Sequence, residues 1–342
     1  MSAPLEGIRL IEASDSDAPL HIRLAISMAG KIACELGADV TVIEPHGGDP
    51  IRKLPPFVQE AGRRSALFEF LNAGKRIIRA SRLQGCDDPA VADAVLVDES
   101  IRLSNRVSAV VVSTFGPHQP TLKGPASELT IMAMTGVLHL IGKQAGEPFR
   151  LPGHQPAYAA GLTAFLAMTA GLLASTVRIA DVCILDALLW VNWKIIAESS
   201  LKASASDKAT REWQAVRASD GHVALVYMDS DWPAIVDLVG DARLRQPRFA
   251  TRQTRLENLD ALMEILRPWF AARRKADIYR EAQLRKIPLG PVWSMSDLLH
   301  DAQYLERDFL AILPFGAMPR LPVMWNGQRL RAAGKFSSEL EA

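Results

Sequence analysis

The chain has 342 residues, enough for two or three domains, and its apolar (49%) and charged (23%) fractions are typical of globular proteins. This composition excludes disordered, collagen-like and coiled-coil chains. Lys and Arg number 39 against 38 for Asp and Glu, so a net charge of +1 gives no indication of a nucleic-acid partner. Three widely spaced cysteines and an N-terminus without a secretory pattern favour a reducing compartment, and we expect a cytoplasmic protein.

The first half of the chain alternates predicted strands and helices. Residues 7–12 and 39–44 are predicted strands on either side of a helix over 20–36, an order that implies parallel pairing. Further strands are predicted at residues 76–79, 94–97 and 107–113. The pattern predicts an open, doubly wound α/β sheet of the Rossmann-like kind, in which ligands bind at the carboxyl ends of the strands.

One uncharged stretch needs to be tested as a membrane span. No residue between Arg150 and Arg178 is charged, and residues 159–177 are long enough to cross a bilayer. The stretch is rich in Ala, Gly and Thr rather than Leu, Ile and Phe, which makes its transfer into lipid weakly favourable. We therefore expect a buried helix and no membrane partner.

A smaller α/β domain is predicted after residues 203–208, a small and polar stretch that is typical of a linker. Its predicted elements are a strand at 221–227 and helices at 230–239, 255–272 and 277–285. We expect a large domain over residues 1–202, a small domain over 203–300, and a C-terminal segment over 301–342 that returns to the large domain.

Several common catalytic and metal-binding patterns are missing from the sequence. No GxGxxG follows the first strand, which argues against a dinucleotide-dependent dehydrogenase. The histidines lack the HxH and HxxxH spacings of metal sites, and no GxSxG marks a hydrolase nucleophile, so we predict no metal site. The basic pair Lys75 and Arg76, which follows Asn72, could contact phosphate groups or could form a solvated turn.

A series of short motifs extends along most of the chain. They include PLEGIR at 4–9, LGADV at 36–40, LNAGKR at 71–76, DVCILDA at 181–187, DGHVA at 220–224 and IPLGPV at 287–292. In this order and spacing they resemble the class III CoA-transferase family. That family comprises formyl-CoA and carnitine CoA-transferases and the α-methylacyl-CoA racemases.

The resemblance implies a large Rossmann-like domain, a smaller α/β domain and an interlocked dimer. We expect a homodimer, with a heterodimer formed with a relative as the alternative. The resemblance also implies acyl-CoA and a small carboxylic acid as substrates, and no covalently bound cofactor. On this basis Asn72, Lys75, Arg76 and Arg102 become candidates for binding CoA, since cationic side chains suit its phosphate groups.

Transferases of this family attack the thioester with a carboxylate nucleophile, which forms a mixed anhydride and releases the CoA thiolate. The resemblance places Ala157 at the position of that carboxylate. A methyl group cannot attack a thioester, so a neighbouring residue would have to replace the acid. The candidate catalytic residues are Glu128, His154, Gln155 and Tyr158.

Three functions remain open at this point. The first is transfer of CoA between an acyl-CoA and a carboxylic acid. The second, suggested by Ala157, is a non-catalytic CoA-binding or scaffold subunit that pairs with an acid-bearing relative. The third is an acyl-CoA racemase or isomerase, although Ser127 stands where the racemases of the family have a histidine.

Overall fold

The computed structural model describes residues 3–58, 64–80, 86–117, 124–141, 147–201, 213–330 and 338–341. The chain forms two compact units. Residues Met1–Lys194 and Gln303–Ala342 make up the first unit, and Ile195–Ala302 make up the second. The predicted linker at 203–208 lies outside the described residues.

Strands and helices alternate over residues 9–44 as predicted, and further strands and helices follow up to residue 200. The strands are β1 (Arg9–Ala13), β2 (Asp39–Glu44), β3 (Phe57–Val58), β4 (Arg64–Ser65), β5 (Arg76–Arg79), β6 (Ala94–Asp98), β7 (Ser108–Ser113) and β8 (Ile179–Cys183). The helices are α1 (Leu20–Glu35), α2 (Ala66–Asn72), α3 (Glu128–Met134), α4 (Val137–Ile141), α5 (Gln155–Leu173), α6 (Ile184–Val191) and α7 (Trp193–Ser200). All five predicted strands are confirmed, with their ends shifted by two residues at most.

Beyond α7, the second unit holds a three-stranded antiparallel sheet and five α-helices within its described residues. Its strands and helices are β9 (Gln214–Ala218), β10 (Gly221–Leu225), α8 (Trp232–Val239), α9 (Arg252–Glu257), α10 (Leu259–Ala271), α11 (Lys275–Leu284), β11 (Gly290–Pro291) and α12 (Met295–Leu298). The single helix predicted over 255–272 is wrong. Asn258 interrupts it, because its backbone leaves the helical region and its side chain donates to the Thr254 carbonyl at 2.8 Å.

The chain then continues through short elements to one last strand. They are α13 (Ala302–Glu306), β12 (Leu310–Leu313), β13 (Gly316–Pro319), β14 (Met324–Trp325), β15 (Gln328–Arg329) and β16 (Ser338–Glu341). Strand β16 pairs in parallel with β5, at the edge of the large sheet.

The large sheet has seven strands in the order β16-β5-β2-β1-β6-β7-β8, and every pairing is parallel. From β5 to β8 this is the 3-2-1-4-5-6 order of dinucleotide-binding folds, so the expected Rossmann-like α/β architecture is confirmed. The strand order reverses between β1 and β6. The connections that leave these two strands therefore diverge and open a crevice at the carboxyl edge of the sheet.

Helix α5 is a core element of the first unit, although it is long and apolar enough by composition to cross a membrane. One face of it is buried in the core that it shares with α1 and the sheet: Ala157, Ala160, Ala164 and Met168. Gly161 brings the two helices together, since a Cβ at this position would lie 2.8 Å from both the Ala25 carbonyl oxygen and Met28 Cβ.

Gly161→Ala is expected to destabilise the fold by about 1–3 kcal/mol, because the added methyl group forces α1 and α5 apart. Gly171→Ala on the same helix is the control. There a Cβ would meet Ser108 Cβ at 3.4 Å, an ordinary contact, and alanine favours the helix. Urea unfolding of both variants measures the difference, and equal stabilities would contradict the close-packing argument.

Candidate functional site

A cavity of about 560 Å³ lies at the crevice between the diverging connections. It is lined by residues that follow four neighbouring strands: Ser14, Asp15, Ser16, Pro45, His46, Gly47, Ala80, Ser100, Ile101 and Arg102. Its size is within the usual range for small-molecule sites. The cavity therefore stands where the strand order predicts a ligand.

Buried Asp98 holds two walls of this cavity together. One carboxylate oxygen accepts a hydrogen bond from the Asp15 N–H at 2.6 Å, and the other accepts from the Ser100 N–H at 2.8 Å. These bonds tie the connection after β1 to the connection after β6. Arg102 is exposed on the cavity wall and forms no ion pair with any residue that the structure describes, so its guanidinium can face a ligand phosphate.

An ionic network lies at the same edge of the sheet. Glu44, which is buried, accepts hydrogen bonds from Arg52 at 2.6 and 3.0 Å, and the Arg79 guanidinium lies 3.8 Å from its carboxylate. Arg79 ends β5, one residue before Ala80 of the cavity wall. Sequence reasoning missed Arg79, although its place at the carboxyl end of a strand was a usable signal.

The structure places the other three predicted CoA-binding residues away from the cavity. Lys75 precedes β5 and Arg76 begins it, so both lie at the amino edge of the sheet, where Arg76 pairs with Asp39 at 3.7 Å. Lys75 is fully buried and bonds to Asn72 Oδ1 at 3.2 Å and to Glu12 at 2.6 Å. Asn72 and Lys75 thus have a structural role here, and Arg102 alone of the four lines the cavity.

A second group of polar residues surrounds the N-terminus of α5. Glu128, the first residue of α3, is buried, and one of its carboxylate oxygens lies 2.5 Å from His154 Nδ1. The other accepts a long hydrogen bond of 3.4 Å from the Ala157 N–H, in the first turn of α5. The carboxylate thus reaches the helix position where the resemblance expected an acid. The N-terminus of α5 is the positive end of the helix dipole and attracts negatively charged groups.

Two further side chains lie in the electrostatic field of Glu128. Burial raises the pKa of Tyr158, and the negative charge of Glu128 raises it further, so the phenol stays protonated and can donate a hydrogen bond. Burial lowers the pKa of His21, although Glu128 opposes this shift. His21 Nε2 lies 2.7 Å from the Thr114 hydroxyl at the end of β7. No motif indicated His21.

The structure therefore brings together three of the four candidate catalytic residues. Glu128 and His154 are in direct contact, and the rings of His154 and Tyr158 are 6.1 Å apart in an edge-to-face arrangement. Gln155 is exposed, and its amide donates to the Pro152 carbonyl at 3.4 Å instead. A carboxylate at a helix N-terminus beside a hydrogen-bonding imidazole and phenol can act as a nucleophile or as a base.

Comparison with known proteins agrees with this architecture. A succinate–glutarate CoA-transferase of Agrobacterium fabrum is 24% identical over 341 residues, which cover 89% of this chain and 84% of that protein. A protein of Thauera aromatica named succinyl-CoA:(R)-benzylsuccinate CoA-transferase subunit BbsE is 25% identical, covering 82% of this chain and 78% of its own length.

Among solved structures, a CAIB/BAIF family protein from Brucella suis superposes with a TM-score of 0.85 at 22% identity, covering 99% of this chain and 97% of the other. The family model of CoA-transferase family III matches residues 5–80 and 100–335. The two matched segments span most of the sequence and both compact units. The chain belongs to CoA-transferase family III.

Proposed function

We propose that this protein transfers CoA between an acyl-CoA and a small carboxylic acid, with Glu128 as the nucleophile. The observation that carries the proposal is the position of the Glu128 carboxylate, bonded to the Ala157 N–H at 3.4 Å in the first turn of α5. The acid missing from position 157 is thereby supplied by the neighbouring helix α3. Family membership makes CoA thioesters the substrates to test.

In the first step, a Glu128 oxygen attacks the thioester carbonyl carbon. The new C–O bond forms as the C–S bond breaks, and the electron pair leaves with the CoA sulfur as a thiolate. The thiolate then attacks the Glu128 acyl carbon of the mixed anhydride, which releases the donor acid and leaves a thioester on the enzyme. The acceptor carboxylate then attacks the glutamyl thioester, forms a second mixed anhydride and releases the CoA thiolate. The thiolate attacks the acceptor's acyl carbon, which frees the Glu128 carboxylate and gives the acceptor's CoA thioester.

Residues around Glu128 have distinct parts in these steps. The Ala157 N–H and the positive end of the α5 dipole position the attacking carboxylate. His154 holds one oxygen through a 2.5 Å contact and so directs the other. The Tyr158 hydroxyl is the donor for the negative charge that develops on the thioester oxygen.

The cavity at the carboxyl edge is the proposed CoA site, with Arg102 as a phosphate ligand. Arg102→Gln is expected to raise the Kd for CoA by about tenfold or more, since a charge-assisted hydrogen bond is worth about 1.5–3 kcal/mol. Arg76→Gln, a matched change at the amino edge, is expected to leave the Kd unchanged. Titration calorimetry measures both, and a larger effect at Arg76 would move the CoA site to the opposite edge.

The transfer itself is tested by incubating the purified protein with one acyl-CoA and a second carboxylic acid. The expected result is a new acyl-CoA, resolved by chromatography, that forms in step with loss of the first. Uptake of deuterium at the α-carbon of the acyl-CoA without any transfer would favour the racemase or isomerase function instead.

A non-catalytic subunit is the second candidate function, because Ala157 replaces the expected acid and one relative is named as a subunit of its transferase. The non-catalytic function predicts that the isolated chain binds CoA but transfers nothing until an acid-bearing relative is added.

We propose a dimer for either function. Exposed apolar side chains on α6 and α7, such as Val191 and Trp193, offer it a surface.

A further inference from the structure

A second cavity, of about 530 Å³, lies at the carboxyl ends of β7 and β8 in the first unit. Its wall is mainly apolar and includes Phe115, Thr163, Leu166, Asp181, Asp186 and Trp190. It shares no residue with the proposed CoA site. Its volume and apolar lining are typical of a small-molecule site.

Two connections link this cavity to Glu128. Phe115 follows Thr114, whose hydroxyl lies 2.7 Å from His21, and α3, which begins at Glu128, packs against α6, which carries Asp186 and Trp190 of the cavity wall. Thr163 of the cavity wall is six residues beyond Ala157 on the same helix, a rise of about 9 Å. A thioester held at Glu128 can therefore extend a medium-length acyl chain toward the cavity.

The charged side chains among the described residues of this cavity wall are of one sign. Its described lining includes the carboxylates of Asp181 and Asp186 and includes no lysine or arginine. Both aspartates are exposed at its rim. A terminal carboxylate on the acyl chain would lose water without gaining a cationic partner among the described lining residues and would be repelled by these two groups. An uncharged hydrocarbon end would instead bury apolar surface against side chains such as Leu166 and Trp190.

From this geometry we infer that the cavity binds the acyl tail, and that the preferred acyl group is apolar and carries no second carboxylate. The inference rests on the proposed function, because it takes Glu128 as the point where the thioester is held. It sets this chain apart from the relative named for succinate and glutarate, which are both dicarboxylates.

Hexanoyl-CoA and adipyl-CoA test the inference directly, since their acyl chains have equal length and differ in the terminal carboxylate. The wild-type protein is expected to bind hexanoyl-CoA about tenfold or more tightly than adipyl-CoA. Leu166→Arg places a cation at the cavity wall on a side chain that is 67% exposed, and it should abolish this preference. Leu173→Arg, on the same helix but outside the cavity, should retain it.

Equal binding of the two thioesters by the wild-type protein, or equal effects of the two arginine variants, would overturn the inference. So would an unchanged preference in Leu166→Arg together with loss of a dimer, because the cavity would then be a contact between two copies. A hexanoyl preference without any CoA transfer would support the cavity assignment and overturn the proposed reaction. CoA transfer without a preference for hexanoyl-CoA would support the proposed reaction and overturn the cavity assignment.

Discussion

Glu128→Gln is expected to reduce CoA transfer by a factor of roughly 10³ or more while leaving CoA binding intact. The amide keeps the shape of the side chain and one of its two acceptor oxygens, but this oxygen is too weak a nucleophile to form the anhydride. The proposed CoA cavity is lined by other residues, so the Kd for CoA should not change. Initial rates of acyl-CoA formation, with calorimetry alongside, separate the two effects.

Position 157 supplies the matched pair for this experiment. Ala157→Asp alone adds a second carboxylate next to Glu128, whose oxygen already lies 3.4 Å from the Ala157 N–H. Two adjacent carboxylates disfavour each other's ionisation, so we expect no gain in rate. Ala157→Asp combined with Glu128→Gln leaves one acid in the same space and should recover part of the lost activity. Wild-type rates in Glu128→Gln would exclude Glu128 as the nucleophile.

Lys75→Met is expected to destabilise the fold by about 3–5 kcal/mol, since it leaves the buried carboxylate of Glu12 without its partner. The Lys75 ammonium is fully buried, lies 2.6 Å from Glu12 and also donates to the Ser27 carbonyl at 2.9 Å. Gly30 makes room for this pair, because a Cβ there would overlap the Glu12 carboxylate.

The deficit of Lys75→Met should depend on pH with a definite sign. Burial raises the pKa of Glu12 to about 7 even though the Lys75 charge opposes the shift, so removing the lysine raises this pKa further. A carboxyl group whose pKa is higher in the folded than in the unfolded protein stabilises the fold at pH values below its unfolded-state pKa. This contribution is lost as the pH rises through the folded-state pKa. The deficit should therefore shrink as the pH falls from 8 toward 5.

Chemical unfolding of Lys75→Met, Glu12→Gln and the double variant completes the cycle. The double variant buries no charge and is expected to be more stable than either single variant. Additive effects of the two changes would show that the pair is not coupled.

The sheet could be predicted from the sequence because its strands are short apolar runs that are buried on both faces. Strand β6 is an example, since all of its residues, Ala94–Asp98, are buried. The placement of Lys75 and Arg76 could have been predicted as well. Lys75 precedes a parallel strand and Arg76 begins it, whereas ligands bind at the carboxyl ends of such strands, and this strand ends at Arg79.

The site around Glu128 could be predicted only in part. Glu128 and His154 are 26 residues apart and lie on different elements, so their 2.5 Å contact depends on how α3 packs against the start of α5. Spacing along the chain carries no such information. The contact of His21 with Thr114 spans 93 residues and depends on the position of α1 against β7, which no local motif records.

The most direct test of the account is to identify the residue that carries the acyl group. The protein is incubated with an acyl-CoA, quenched with hydroxylamine, digested and mapped by mass spectrometry. We expect a hydroxamate on Glu128, since hydroxylamine attacks the activated glutamyl carbonyl, and we expect none in Glu128→Gln. A hydroxamate on another residue, or none in a protein that binds the acyl-CoA and forms product, would contradict the assignment of Glu128.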